Sequence, residues 1–219
     1  MESKYDLIYN SIKDSKTEHR EIYDELISLV LNLKGGIKYI KKSCKVEPLQ
    51  CSEPLQCSEP LQCSDGGRYD VNDNDNDNYK KIDKFALQLS LQLKALEEKG
   101  FSLLFLQVSD ILVINDDLYL LANLSQMVPL NKKDNSHFVL ACPNVYPFPK
   151  EVCAPELLEM NALPFISHRS ASYYSLALLC LTLLKCSNLS LDKLQGTKLV
   201  YFIERCLKKE PMERMCLYF

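Results

Sequence analysis

The 219-residue sequence has no tryptophan, only three histidines, and no pair of cysteines at C-x-x-C spacing. Its ten cysteines and isolated histidines therefore lack the ligand spacing of zinc sites. Cys180 and Cys206 fall within apolar helical patterns, so we expect both to be reduced and buried as small apolar residues. The 12 tyrosines and 8 phenylalanines replace tryptophan as large core side chains.

A long apolar run and an excess of positive charge are also missing. The most apolar stretch, Leu176 to Leu184, has nine residues, whereas a helix that crosses a bilayer needs about 20. The charged N-terminus lacks the apolar region of a signal peptide. A formal net charge of −3 gives no electrostatic argument for nucleic acid. We expect an intracellular protein, cytoplasmic or nuclear, that binds neither membrane nor nucleic acid.

Residues 46–78 differ in composition from the rest of the chain. The sequence Glu-Pro-Leu-Gln-Cys-Ser occurs three times over 47–64, and a proline every six residues disfavours helices and central strands. Residues 72–78 alternate asparagine and aspartate but lack the glycine and glutamate of an EF-hand loop. We predict that 46–78 is a disordered repeat insertion followed by a polar linker. Whether the repeat has a function stays open.

The remaining sequence predicts an α+β fold that is mostly α. Apolar periodicity predicts helices over 17–34, 79–99, 154–160, 171–186 and 197–208. The apolar runs 111–114 and 118–121 flank a polar turn and predict a β-hairpin. Residues 125–153, which contain four prolines, are predicted to form a long loop.

Three motifs after residue 150 occur in the order found in protein kinases. They are Ala154-Pro155-Glu156, the run Ser172-Tyr173-Tyr174-Ser175-Leu176-Ala177, and Cys206-Leu207-Lys208-Lys209-Glu210-Pro211-Met212-Glu213-Arg214. These resemble the A-P-E, D-x-W-S-x-G and C-L-x-x-D-P-x-x-R motifs of the family. From residue 79 onward the chain therefore resembles the helical C-terminal lobe of a protein kinase. The resemblance implies a buried ion pair between Glu156 and Arg214.

The resemblance also implies a division of the chain. Residues 79–219 would be the C-lobe-like domain, and residues 1–45 a reduced N-lobe remnant with an αC-like helix and a strand. Glu25 would take the place of the αC glutamate, but the lysine that normally pairs with it has no well-spaced counterpart.

The positions that carry catalysis in kinases are mostly altered. The catalytic loop aligns with residues 103–110, where Leu103 replaces the histidine and Phe105 replaces the catalytic aspartate. Gln107 stands where a lysine that contacts phosphate is common. No G-x-G-x-x-G pattern occurs anywhere in the sequence. The resemblance therefore implies that phosphoryl transfer has been lost.

The two positions that hold metal in kinases carry polar residues here, with aspartate and asparagine in the reverse order. Asp110 replaces the asparagine of the catalytic loop, and Asn123 replaces the aspartate of D-F-G. One carboxylate and one amide are possible ligands for a divalent ion. We interpret them instead as turn residues left after catalysis was lost, and we expect no metal and no cofactor. Ser172 replaces the aspartate that holds the catalytic loop, which fits the loss of that loop.

These residues lead us to expect a catalytically inactive, kinase-like protein that binds or scaffolds a protein partner, with weak or no ATP binding. The alternative is a divergent active serine/threonine kinase or nucleotide-binding protein that uses Asp110 and Asn123. A third hypothesis is a truncated gene product with no specific role. The sequence identifies neither the partner nor the oligomeric state.

Overall fold

The computed structural model describes residues 4–12, 19–34, 45–50, 73–131, 136–139, 148–160, 165–187 and 189–218. The fold is α+β and mostly helical, as predicted. The helices are α1 (Lys4–Ser11), α2 (Arg20–Asn32), α3 (Asp73–Glu98), α4 (Pro155–Leu158), α5 (Ala171–Cys186) and α6 (Lys198–Cys206). The strands are β1 (Val46–Pro48), β2 (Phe101–Leu103), β3 (Ile111–Ile114), β4 (Leu118–Leu121), β5 (Met127–Pro129), β6 (Ser136–Val139) and β7 (Phe165–His168). No helix in these ranges is long and apolar enough to cross a membrane.

Helices α3 and α5 pack against each other at the centre of the core. Along α3, apolar residues at helical spacing form one buried stripe that includes Phe85, Leu89 and Leu93. Gly100 follows α3 with a φ of 85°, the left-handed conformation that stops helices at low cost. Most residues of α5 are buried, because other elements surround this helix on several sides.

The two N-terminal helices belong to the same core. Ile8 of α1 and Leu26 of α2 are fully buried in the cluster that also contains α3 and α5. Helix α2 packs against both α3 and β4. The described residues of the predicted N-lobe remnant therefore share one core with the C-terminal part of the chain.

The predicted hairpin is present. Strands β3 and β4 are antiparallel, with Ile111 opposite Leu121 and Ile114 opposite Leu118. The turn requires positive φ angles of 52° at Asn115 and 60° at Asp116, and these residue types tolerate the left-handed region better than most. The hairpin brings the residues just outside its two strands close together.

The prediction that residues 46–78 are disordered is wrong at both ends. Val46–Pro48 form β1, which pairs antiparallel with β3 as an edge strand of the order β1-β3-β4. An edge strand tolerates Pro48, which cannot donate a ladder hydrogen bond. Helix α3 begins at Asp73 because acidic residues are favourable at a helix N-terminus and the apolar stripe further along anchors the helix. Residues 51–72 lie outside the described residues, and so does the strand proposed near residue 37.

The prediction of a long loop over 125–153 is wrong where it contains two strands. Strand β5 pairs antiparallel with β2, and β6 pairs antiparallel with β7. Each of these strands has three or four residues, which is too short to show a clear period-2 pattern. Their partners are distant in sequence, so the pairing depends on the tertiary structure.

Two glutamines of α3 complete the outer edge of β4. The Tyr119 N–H donates to Gln88 Oε1 at 2.7 Å, and the Leu121 N–H donates to Gln92 Oε1 at 2.9 Å. Gln92 Nε2 also donates to the Tyr119 carbonyl at 2.8 Å. Residues four apart on the helix, Gln88 and Gln92, thus reach residues two apart on the strand, Tyr119 and Leu121, whose N–H groups point to the same edge. The helix satisfies backbone groups that an unpaired strand edge would leave open.

Candidate functional site

The residues that the resemblance aligns with a kinase catalytic loop, at the end of β2 and just after it, are buried apolar side chains. Leu103 and Phe105 are both buried, and so are their neighbours Leu104 and Leu106. The ring of Phe105 packs edge-on against Phe148, with centroids 6.2 Å apart. A phenylalanine ring cannot accept a proton, and this one is enclosed by apolar groups. The position aligned with the catalytic aspartate therefore contributes to packing.

Asp110 and Asn123 are brought together by the hairpin. Asp110 ends a short 3-10 turn (Val108–Asp110) just before β3, and Asn123 follows β4. Asn123 Nδ2 donates to Asp110 Oδ1 at 2.7 Å, and the Gln107 N–H donates to Asp110 Oδ2 at 2.8 Å. The Asn123 side-chain oxygen accepts from the Ser125 N–H at 3.0 Å. All three candidate ligand oxygens thus accept hydrogen bonds from the protein.

The surroundings of Asp110 favour a neutral carboxyl more than an exposed site does. Burial raises the pKa of Asp110, while the hydrogen bonds from Gln107 and Asn123 act in the opposite direction. No group of three His, Cys, Asp or Glu side chains suitable for a metal occurs in the described part of the chain. Mg²⁺ is usually held by one or two carboxylates together with substrate phosphates and water. The hydrogen bond between Asp110 and Asn123 connects the loop before β3 to the residues that follow β4.

A cleft of about 960 Å³ opens beside Asn123, between the N-terminal elements and the hairpin. Its lining includes Ile12, His19, Tyr23, Ser109, Leu112 and Met127. Among the described residues that line it there is no lysine or arginine. The described lining combines apolar side chains with the polar side chains of His19, Tyr23, Ser109 and Asn123.

The α2 residue that reaches the loop is Tyr23. Its hydroxyl donates to the Ala122 carbonyl at 2.9 Å, next to Asn123, and its ring is buried. Glu25, aligned with the αC glutamate, is instead exposed and pairs with Lys99 at 2.8 Å. Tyr23 was missed from the sequence, although its place three residues before Leu26 on the apolar face of α2 was a usable signal.

The second predicted pair, Glu156 and Arg214, forms a two-pronged ion pair. Arg214 Nη1 donates to Glu156 Oε1 at 2.6 Å, and Nη2 donates to Oε2 at 2.8 Å. The Arg214 side chain is fully buried, whereas that of Glu156 is 23% exposed. Ala154 precedes the first turn of α4 in an extended conformation, and Pro155 starts the helix. This geometry directs Glu156 towards Arg214.

Further contacts surround the guanidinium of Arg214. Its Nε donates to the Lys208 carbonyl at 2.7 Å, and Nη2 donates to the Lys209 carbonyl at 2.8 Å. The group also lies over the ring of Tyr174, with Cζ 4.9 Å from the centroid. We call Glu156, Arg214 and these contacts the C-terminal clamp, because together they tie α4 to the segment after α6.

The residue that holds the loop after β2 is Ser175, not Ser172. Ser175 Oγ accepts from the Leu106 N–H at 2.7 Å and donates to the Leu106 carbonyl at 3.0 Å. Ser172 Oγ instead donates to the nearby Arg169 carbonyl at 3.1 Å. Ser172 therefore does not hold the loop backbone, which agrees with our expectation for a position without the aspartate. The loop is nevertheless held, because the hydroxyl of Ser175, three residues later, bonds its backbone.

A further polar cluster was also missed in the sequence. Glu97 near the end of α3 accepts hydrogen bonds from the Tyr173 hydroxyl and from Arg169 Nη1, the latter at 3.1 Å. Burial is the largest influence on Glu97 and raises its pKa. Glu97 falls near the C-terminal end of a helix, where exposed glutamates are common, so no sequence signal marked it. The cluster joins α3 to the N-terminus of α5.

No model of a known protein family matches the chain, and no curated protein matches its sequence.

Proposed function

We propose that this chain is a catalytically inactive, protein kinase-like protein with a C-lobe architecture that serves as a protein-binding scaffold or regulator. The burial of Phe105 against Phe148 carries this proposal. In the proposed alignment Phe105 takes the place of the catalytic aspartate, and an apolar contact there leaves no group to orient a substrate hydroxyl. The proposal puts the protein in the cytoplasm or the nucleus and gives it no cofactor.

The C-terminal clamp supports the kinase-like part of the proposal. Two motifs 58 residues apart in the sequence meet in a two-pronged ion pair between Glu156 and Arg214. A buried arginine is costly unless it is paired and hydrogen-bonded, and Arg214 is both. The hairpin β3–β4 follows the loop directly, which is the order expected from the resemblance.

Exposed apolar side chains near the end of the chain support a protein partner. Met212 is 77% exposed, and Met215 and Leu217 in the same segment are also exposed. Tyr201 on the adjacent helix α6 is 54% exposed. Grouped exposed apolar residues are typical of interaction surfaces, and methionines adapt to partners of different shape.

The second candidate function is nucleotide binding through Asp110 and Asn123. The cleft beside Asn123 favours it, because about 960 Å³ is room enough for a nucleotide. The hydrogen bonds that already engage Asp110 and Asn123 oppose it.

A thermal-shift titration with ATP, with and without Mg²⁺ or Mn²⁺, separates the two candidates. We expect a single cooperative transition that ATP does not move. A bound nucleotide would add about 2.7 kcal/mol of stability at a hundredfold excess over Kd. A saturable shift that requires metal and disappears in Asp110→Ala would overturn the proposal in favour of nucleotide binding. A broad transition without cooperativity would instead favour a truncated product with no specific role.

The scaffold part is tested by comparing partners bound by two variants. The triple variant Met212→Ser/Met215→Ser/Leu217→Ser removes the apolar side chains, and Lys193→Ser is an exposed control in the short turn before α6. Affinity purification followed by mass spectrometry should show partners that the wild type and the control retain and the triple variant loses. Identical sets of bound proteins from all three would contradict a partner at this surface.

A further inference from the structure

Three thiols meet where the C-terminal segment, residues 214–218, crosses α6. Cys180 on α5 and Cys206 on α6 are fully buried. Cys206 Sγ donates to the Met215 carbonyl oxygen at 3.5 Å, so the thiol lies beside the residue that precedes Cys216. The neighbouring Cys206 thiol also raises the pKa of Cys216. All three are free thiols, and Cys216 is partly exposed.

Contacts on both sides hold Cys216 against α6. Arg205 Nη2 donates to the Leu217 carbonyl at 2.5 Å. The Tyr218 ring packs against Phe202, with centroids 5.0 Å apart, and its hydroxyl donates to Asp83 on α3. The backbone around Cys216 is therefore anchored to the helix that carries Cys206. A cross-link between the two sulfurs would join two segments that already lie side by side.

We propose that Cys206 and Cys216 form a redox-sensitive pair that closes to an intramolecular disulfide when the chain meets an oxidant of the peroxide class. This inference does not depend on the proposed function. It concerns a covalent modification of the C-terminal segment and uses none of the residues of the loop after β2.

The chemistry balances with hydrogen peroxide as the oxidant. Cys216 is the more exposed of the pair and reacts first, so its sulfur bonds to one peroxide oxygen while the O–O bond breaks. The leaving hydroxide takes the thiol proton and becomes water, and Cys216 becomes a sulfenic acid. The Cys206 sulfur then attacks the Cys216 sulfur, and the S–O bond breaks. The hydroxide released takes the Cys206 proton, so two thiols and one peroxide give a disulfide and two waters.

The Cys216 thiol stays protonated in the resting protein. The neighbouring Cys206 thiol and burial both raise the pKa of Cys216. Because the thiolate is the reactive form, the pair reacts slowly and stays reduced until oxidant is in excess. The pair then serves as a sensor of sustained oxidation, and a dithiol reductant reverses it.

The disulfide would enclose the segment that carries Arg214. Nine residues separate Cys206 from Cys216, and Arg214 is among them. Closing this loop restricts the unfolded chain and holds Arg214 near Glu156. Oxidation should therefore raise the melting temperature and make the C-terminal clamp harder to open.

Peptide mapping of the full-length chain tests the proposal. The reduced protein is treated with hydrogen peroxide, alkylated and digested with trypsin, which places Cys206 on peptide 206–208 and Cys216 on peptide 215–219. We expect these two peptides to become linked as the main oxidation product, with a rise in melting temperature that dithiothreitol reverses. Cys186 lies on a separate peptide, 186–193, and should be alkylated normally.

Two variants complete the test. Cys216→Ser should abolish the linked peptides and the rise in melting temperature, whereas Cys186→Ser should leave both unchanged. Linkage of Cys180 in place of either partner, disulfides found only between two chains, or further oxidation of Cys216 without any linkage would each overturn the proposal. Mapping of the wild type decides the matter even if the buried Cys206 does not tolerate substitution.

Discussion

Among the described residues, Asp110 and Arg214 are the two charged side chains classed as buried, and their surroundings differ. Arg214 meets an opposite charge, two carbonyl oxygens and the face of a tyrosine ring. Asp110 meets only neutral donors, the Gln107 N–H and the amide of Asn123. The charge of Arg214 is therefore balanced by the carboxylate of Glu156, whereas the Asp110 carboxyl is surrounded by uncharged hydrogen-bond donors.

The difference follows from the chemistry of the two groups. A guanidinium does not lose its proton in a protein, so a buried arginine needs a counter-charge. A carboxyl relieves the cost of burial by taking up a proton, and burial raises the pKa of Asp110. We therefore expect loss of the clamp to affect stability strongly and changes around Asp110 to have smaller effects that depend on pH.

The largest effect is expected from removing the counter-charge of Arg214. Glu156→Ala leaves a buried guanidinium unpaired and should lower the free energy of unfolding by about 3–5 kcal/mol. Glu159→Ala, three residues later and exposed, should change it by no more than about 0.5 kcal/mol. Urea unfolding followed by circular dichroism measures both. Similar values for the two variants would show that the clamp contributes nothing to stability.

A smaller effect is expected from the serine that holds the loop after β2. Ser175→Ala leaves the Leu106 N–H without its partner and should cost about 1–3 kcal/mol. Ser172→Ala is the matched control, because Ser172 is equally buried but bonds only its local Arg169 carbonyl. The same unfolding experiment compares them. A larger loss for Ser172→Ala would reassign the support of the loop to that residue.

The pH dependence of stability should carry the signature of Asp110. With a raised pKa in the native state, the native chain binds more protons than the unfolded chain from about pH 3.8 up to the native pKa. The contribution of Asp110 to stability therefore falls as pH rises through that window. Asp110→Asn should remove this part of the slope when the unfolding free energy is measured across the window. An unchanged slope would contradict the raised pKa.

The smallest effect, with the opposite sign, is expected at Asp117. Burial alone would raise its pKa, but the ammonium groups of Lys34 and Lys84 outweigh burial and lower it. The stabilisation is present above about pH 3.8 and is lost as pH falls through the native pKa. Because the lysines are partly exposed, Asp117→Asn should cost no more than about 1 kcal/mol at neutral pH. Acid titration of that variant should show a shallower loss of stability than the wild type.

Local patterns predicted the elements whose signal is periodic. Helix α5 was predicted at its observed bounds, and the hairpin strands β3 and β4 at theirs, because apolar spacing and a polar turn mark both. The start of α3 was placed six residues too late because a run of Asn and Asp has low helix propensity. Strands β5, β6 and β7 were missed because each is stabilised mainly by a distant partner.

In the candidate site, too, some contacts were predicted from the sequence and others were not. The resemblance of short motifs predicted an ion pair between Glu156 and Arg214, and the structure has these two side chains in contact. It also assigned Asp110 and Asn123 to the two metal-holding positions of kinases, and the structure has these two side chains in a direct hydrogen bond. The role of Ser175 in holding the loop was not predicted, because nothing in the local sequence distinguishes it from Ser172 on the first turns of the same helix.

The sequence by itself determined where helices α2 to α6 lie and where the hairpin turns, whereas α1 was not predicted. These properties depend on neighbouring residues and on residue type. Only the tertiary structure decided that Gln88 and Gln92 complete the edge of β4, that Tyr23 reaches the end of the hairpin, and that Cys216 meets Cys206. Each of these contacts joins elements that face each other only after the core has packed, so its partner cannot be read from local spacing.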